Sequence, residues 1–231
     1  MKVIAHIHTD FPQKFGIPRQ SGLAADAQGT IVFEPEYAKP DAVRGIEGFS
    51  HLWLIWRFEN TDRDHWSPTV RPPRLGGSRR MGVFATRSPF RPNPIGLSCV
   101  RLERVEIVDG APVLHVLGAD LRDNTPIYDI KPYIPFADCQ LDATGGFTDE
   151  TRWQDVQVAF PEDLLAKVPE SKRQGLIQAL EQDPRPPLQD DPEKVFVMAY
   201  AGCDVRFTVA DGLLTVVSVT DLDPKAFGFD L

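Results

Sequence analysis

Cysteine is scarce in this 231-residue sequence: Cys99, Cys139 and Cys203 are odd in number, far apart and never in a CxxC pair. That excludes a disulfide framework and a zinc knuckle. No apolar run approaches the roughly 18 residues that span a bilayer. The start, MKVIAHIHTD, has neither the apolar stretch nor the cleavage site of a secretory signal, so a cytoplasmic location without a membrane partner is expected. Neither GxGxxG nor a GxxxxGKS or GxxxxGKT loop occurs, which disfavours a Rossmann cofactor site and a P-loop. A GxSxG elbow is missing too, and Ser50 and His51, as neighbours on a strand, would point to opposite faces. His6 and His8 share a strand face and His51 opens another strand, yet no Asp or Glu stands at metal-triad spacing, so no metal site is expected.

The most informative deficit is local. Residues 65–102 contain seven arginines and six prolines but no aspartate, glutamate or lysine, in a chain whose formal net charge is −8. With seven positive charges confined to that block, the rest of the chain carries −15. Residues 139–231 hold eight Lys and Arg against seventeen Asp and Glu, a net of −9. Arginine forks match phosphate and carboxylate oxygens in pairs, so the block predicts a rigid cationic face for a polyanion. An acidic body, with a pI near 5.1, repels nucleic acid everywhere else, which favours orientation over raw affinity.

At 42% hydrophobic and 10% aromatic residues the chain can fill real cores. Alternation at the start sets Val3, Ala5 and Ile7 against Ile4, His6 and His8 as a strand. Further strands are predicted at 30–33, 51–58, 81–86, 98–108 and 113–117, with Asp109-Gly110 marking a hairpin. Strands this dense, without helices between them, predict a mainly β protein with an N-terminal antiparallel β-barrel, closed or nearly so, and no βαβ rhythm. Polar, glycine-bearing sequence at 137–152 marks a boundary, giving domains at 1–138 and 139–231. The second reads as a smaller α+β unit. Strand 156–160 leads through Pro161 into helices 162–168 and 170–182, followed by strands 195–201, 204–209 and 213–219, the last two joined at Asp211-Gly212.

Five stretches have mechanical content. Arg71-Pro72-Pro73-Arg74-Leu75-Gly76-Gly77 favours polyproline II, whose period of about three puts Arg71 and Arg74 on one side as a spaced clamp. Three prolines stiffen residues 85–96, so that Arg87 and Arg91 are held. Residues 16–22 form a Pro/Gly loop displaying one cation and one amide. Residues 120–133 pack three acids, two bases, two tyrosines and two prolines together, with Asp123-Asn124 as a turn former. Residues 182–187 sit at a helix end, which Pro184 and its neighbours terminate. Each stretch also has an ordinary reading, as linker, crossover or ion-paired turn, and the residues alone leave that choice open.

Together these stretches resemble the TrmO family, also called YaeB, of TsaA-like proteins. The resemblance lies in PRQSG at 18–22, DAVRGIEGFSHLW at 41–53, PTVRPPRLGGSRRMGVFATRSPFRPNPIG at 68–96, DNTPIYDIKPYIP at 123–135 and DPRP at 183–186. It implies an S-adenosylmethionine-dependent methyltransferase that modifies N6 of threonylcarbamoyladenosine at position 37 of tRNA. It also implies a β-barrel catalytic domain and a cofactor bound near a homodimer interface. The implied cofactor contacts are Pro18, Arg19, Gln20, Glu59, Asn60, Arg87, Leu97, Thr125, Pro126, Ile127 and Tyr128. Arg19 or Arg87 suits the methionine carboxylate, and Asn60 suits the adenine or ribose. The acceptor nitrogen has a delocalised lone pair, so a carboxylate that takes its proton is expected: Asp129 first and Asp123 second, with Tyr128 or Tyr133 as orienting groups. Arg71, Arg74, Arg79, Arg80, Arg91 and Arg185 are the expected grips on the tRNA anticodon loop, and Trp66 and Phe90 are the rings available to unstacked bases.

The sequence departs from the family pattern at Asn124, where glycine is common, at Glu59-Asn60, in place of a His-Gln type pair, and at Pro187-Leu188, in place of Ala-Tyr. Two other readings fit the same barrel: a non-catalytic regulator that binds S-adenosylmethionine or RNA, and a methyltransferase for a different acceptor.

Overall fold

The structure is a computed structural model that describes residues 1–59, 61, 65–75, 77, 79–151, 155–186, 189 and 191–223, the side chain of Arg74 excepted. In chain order its strands are β1 (Ala5–Thr9), β2 (Gln28–Phe33), β3 (His51–Arg57), β4 (Thr69–Val70), β5 (Met81–Gly82) and β6 (Ile95–Val108). They continue with β7 (Ala111–Leu117), β8 (Thr125–Pro132), β9 (Gln157–Ala159), β10 (Phe196–Tyr200), β11 (Cys203–Ala210) and β12 (Leu213–Asp221). Six of them close into an antiparallel barrel in the order β1-β2-β7-β6-β3-β8. Ala5 pairs with both Phe33 of β2 and Ile127 of β8, and β3 lies between β6 and β8, which seals the ring and leaves no free edge. The two-residue period of a strand sends Ala5, Ile7, Ile31, Leu52, Leu54, Val100, Leu114 and Ile127 inward, all fully buried.

Three details differ from the sequence expectations. Of the strand expected at 81–86 only Met81–Gly82 pairs, in a two-stranded ribbon with β4, and Val83–Ala85 is a 3-10 turn. Thr86 donates from both its hydroxyl and its N–H to the Val83 carbonyl, at 2.9 and 3.2 Å, so local bonds replace a ladder. The polyproline stretch also bends: Pro73–Leu75 is a 3-10 turn closed by Leu75 N–H on the Pro72 carbonyl at 3.0 Å. Proline fixes φ but leaves ψ free to enter a turn. Ser50 precedes β3 instead of lying on it, and its Oγ stands 2.9 Å from His51 Nδ1, so those two side chains meet.

The second sheet runs β10-β11-β12-β9, with β9 parallel to β12. The helices expected at 162–168 and 170–182 are Glu162–Leu165 and, after a 3-10 turn at Glu170–Lys172, Arg173–Glu181. The latter buries Gly175, Leu176, Ala179 and Leu180, a stripe at helical spacing. Its core reaches back into the β1–β2 connection. Phe11, Ala24 and Ala27 are buried with Leu176, Met198, Tyr200 and Phe207, while Phe15 stacks on Phe196 and Phe207 at 6.4 Å each. Gly16 has φ +93°, and a Cβ there would lie 2.6 Å from Met198 Sδ. Physically, residues 10–27 are a barrel loop upholstered by the second sheet.

Candidate functional site

In an antiparallel barrel alternate connections leave the same end. Here the connections β1–β2, β3–β6 and β7–β8 do so, which gathers the loops bearing Pro18, Arg19, Gln20, Glu59, the arginine segment and Asp123. Asn60 and Leu188 lie outside the described residues.

Hydrogen bonds tie these loops together. Arg87 Nη1 donates to Gln20 Oε1, the Gln20 amide donates to the Arg19 carbonyl, and Arg19 Nη2 donates to the Arg185 carbonyl at 3.3 Å. The Ser21 hydroxyl accepts the Cys99 N–H at 3.1 Å, fastening the same loop to β6. Behind them runs a buried chain: Trp56 Nε1 donates to Ser98 Oγ at 3.0 Å, and Ser98 donates to Asp120. Burial raises the Asp120 carboxyl above its ordinary range, opposed by the Ser98 hydrogen bond and the Arg87 charge. Gly96 makes room for Trp56, since a Cβ there would sit 2.2 Å from Trp56 Cε2. Sequence reasoning did not find this chain, whose three members lie far apart along the polypeptide with no shared motif.

At the β7–β8 turn Asn124 adopts φ +62°, so asparagine fills the left-handed position that glycine would otherwise take. Its neighbours are held: Glu59 pairs with Arg122, Asp123 Oδ1 accepts the Thr9 N–H at 3.1 Å and stands 3.2 Å from His8 Nδ1, and the Thr125 hydroxyl donates to the Arg122 carbonyl at 2.7 Å.

The remaining expected residues lie along β8 and β6. Thr125 and Ile127 point into the core, 4% and 0% exposed, so their side chains are closed to a ligand. Ile127 opposes Trp56 and Asp129 opposes Ile55, which leaves Tyr128 as an extra residue in a bulge. Ile55 also opposes Leu97, so Leu97, Ile55 and Asp129 form one strip on the outer wall. Asp129 Oδ2 lies 3.1 Å from Lys131 Nζ, and its Oδ1 accepts the Ile130 N–H at 3.0 Å. Tyr133 lies beyond the opposite end of β8, against Trp53 and His51 at centroid distances of 5.7 and 6.2 Å.

Arg71, Arg79 and Arg80 are exposed, Arg79 reaching Glu150 at 3.4 Å. Arg91 donates to the Thr86 carbonyl at 3.0 Å. Arg185 differs from the rest: its Nε and Nη2 grip the two Asp183 oxygens at 2.8 Å each, with only 16% of its side chain exposed, so it does not present an open cation. Phe90 is half-buried, whereas Phe84 is open; expecting a strand at 81–86 concealed that ring. Among the described residues no helix is long and apolar enough to cross a membrane.

Comparison with known proteins bears on the family and the fold. The tRNA-methyltransferase O N-terminal domain model matches residues 6–139, and the TrmO C-terminal domain model matches residues 153–222. An Escherichia coli K12 protein named tRNA (adenine(37)-N6)-methyltransferase is 40% identical over 230 residues, covering 96% of this chain and 97% of its own. One of the same name from Eikenella corrodens is 46% identical over 172 residues, 74% of this chain and 97% of its own. A crystal structure of TrmO from Pseudomonas aeruginosa superposes with a TM-score of 0.76 at 33% identity, covering 95% of this chain and 96% of that one. With both domain models matched in order, and a relative this similar along nearly the whole length, the chain belongs to the tRNA-methyltransferase O family.

Proposed function

We propose that the protein methylates N6 of threonylcarbamoyladenosine at position 37 of tRNA, with S-adenosylmethionine as donor, and that it acts as a homodimer. One observation carries the reading: the acid-free arginine segment leaves the barrel at the same end as the Arg19-Gln20 loop and Asp123. A polyanion held on that face lies beside the residues suited to the cofactor. The names of the relatives supply the reaction and the nucleotide position.

Bound S-adenosylmethionine supplies an electrophilic methyl group on a sulfonium and presents a carboxylate and an adenosyl group to the residues that hold it. The donor set suits it. Arg19 and Arg87 offer guanidinium forks for the carboxylate, the first held by the Arg185 carbonyl and the second by Gln20, and the exposed Leu97 beside Ile55 offers apolar cover. Apolar area for a second copy is present on the same strand, where Ile95 and Leu97 are 39% and 54% exposed. Asp129 takes the proton that leaves the acceptor nitrogen, and Tyr128, bulged out beside it, orients the acceptor. Asp123, pinned by Thr9 and His8, is the second carboxylate suited to that proton. The exposed Arg71, Arg79 and Arg80 grip phosphates or the threonyl carboxylate, while Arg185 serves the protein itself.

The test is methyl transfer from labelled S-adenosylmethionine to purified tRNA with and without the threonylcarbamoyl group on adenosine 37. Transfer to the modified tRNA alone is expected. Cofactor binding without transfer to either RNA would overturn the reading in favour of a regulator or a different acceptor.

A further inference from the structure

Two large rings on the arginine segment stand open to solvent. Trp66 is 52% exposed and Phe84 72%, with centroids 6.1 Å apart and ring planes tilted by 33°. The backbone holds them in place: Thr69 and Val70 of β4 pair with Gly82 and Met81 of β5, and Val83 N–H donates to the Pro68 carbonyl at 2.9 Å. Both rings therefore sit just outside a short pinned ribbon. Arg91 sets its guanidinium 5.9 Å from the Phe84 centroid and is fixed there by its bond to the Thr86 carbonyl at 3.0 Å.

Adjacent exposed rings are costly in water and mark a surface that something covers. The neighbourhood says what. From residue 65 to 102 there is no acidic side chain, and Arg71, Arg79 and Arg80 are exposed close by in sequence. An apolar protein surface has no need of such a one-signed border. An unpaired nucleobase does, since it has a π-face for the rings and a phosphate on either side for the cations.

We infer that Trp66 and Phe84, bordered by Arg91, form a step on which an unpaired base of the bound tRNA anticodon loop stacks. This rests on the proposed tRNA substrate and adds a base-stacking contact distinct from the residues suited to the cofactor. The step takes any base by its face, so it places the loop without selecting sequence.

The experiment measures binding of the full-length protein to a labelled anticodon stem-loop RNA by fluorescence anisotropy, beside the same RNA with abasic loop positions. Phe84→Leu and Trp66→Leu should each weaken binding about tenfold, and Phe84→Trp should keep it. The slope of log Kd against log salt should stay as in the wild type, because no phosphate contact is lost. On the abasic loop the wild type and Phe84→Leu should bind alike. Melting temperatures confirm that the variants are folded, as both side chains are on the surface. Unchanged binding by Phe84→Leu, or an equal loss on intact and abasic RNA, overturns the step. So does a change in sedimentation with RNA binding unaltered, which would put a protein partner on the rings. A wild-type protein that neither binds nor methylates tRNA overturns the function and the step together; wild-type binding with an inert Phe84→Leu overturns the step alone.

Discussion

Arg185 grips Asp183 with two parallel contacts of 2.8 Å while its backbone carbonyl receives the guanidinium of Arg19 at 3.3 Å. Asp183 adopts φ +44° to bring its carboxylate round, a conformation few residues other than glycine accept. The fork thus stiffens a segment of the second domain that anchors a loop of the barrel. Asp183→Asn should loosen that anchor and raise the KM for S-adenosylmethionine about tenfold, with kcat changed far less. Arg185→Ala should leave the salt dependence of tRNA binding at its wild-type slope, read by filter binding from low to moderate salt; a slope shallower by about one would restore Arg185 to the phosphate contacts.

Between β1 and the second domain, Lys172 Nζ lies 2.8 Å from Asp10 Oδ2, with 25% and 12% of their side chains exposed. Burial raises the Asp10 carboxyl above its ordinary range, Lys172 pulls it back down, and Asp123 pushes it up. Tyr200 also faces it. Folded protein therefore holds a proton that the unfolded chain releases, and stability falls as pH rises from the ordinary carboxylate value to the raised one, then levels. Lys172→Met removes the lowering influence and strands the carboxylate. A loss of about 3 kcal/mol is expected at pH 8, shrinking as the pH approaches about 4, by urea unfolding at both pH values.

Tyr200 is fully buried, and its hydroxyl has no hydrogen-bond partner among the described residues. Burial, and then the nearby Asp10, raise its pKa far above the usual phenol value. Tyr200→Phe keeps the ring that packs edge-on against Phe11 at 5.2 Å and deletes the orphaned group. Stability should rise by about 1 kcal/mol, measured by thermal or urea unfolding.

Asp129 is half exposed and its partners are Lys131 and its own backbone neighbour, so Asp129→Asn should leave the fold intact. If its carboxylate takes the acceptor proton, single-turnover methylation should slow by about a hundredfold with cofactor affinity unchanged. The parallel variant Asp123→Asn separates the candidates: a loss confined to Asp123→Asn would transfer the role to that residue.

The barrel was legible where one strand face is buried along its whole length, as with Leu52 and Leu54 of β3 or Ala5 and Ile7 of β1. β8 was not. It carries Pro126, Asp129, Lys131 and Pro132, and its bulge at Tyr128 shifts the inward-facing set from Thr125 and Ile127 to Ile130, a change of phase that alternation cannot register. The arginine face was legible because charge segregation survives any folding. The fate of Arg185 was not, since a DPRP string does not show that its own aspartate turns back to occupy its arginine. Likewise Phe84 escaped notice because a strand assignment implies one buried face, and the segment turns before forming one.

The loop that bears Arg19 and Gln20 is roofed by Phe196, Met198 and Phe207, on strands made after every strand of the barrel. On the ribosome the barrel strands emerge before these, with Phe11, Phe15 and Ile17 still uncovered and adhesive. The grip proposed for the methyl donor is therefore completed only after β10 and β11 have followed the barrel out, although the barrel's own ladder needs neither strand.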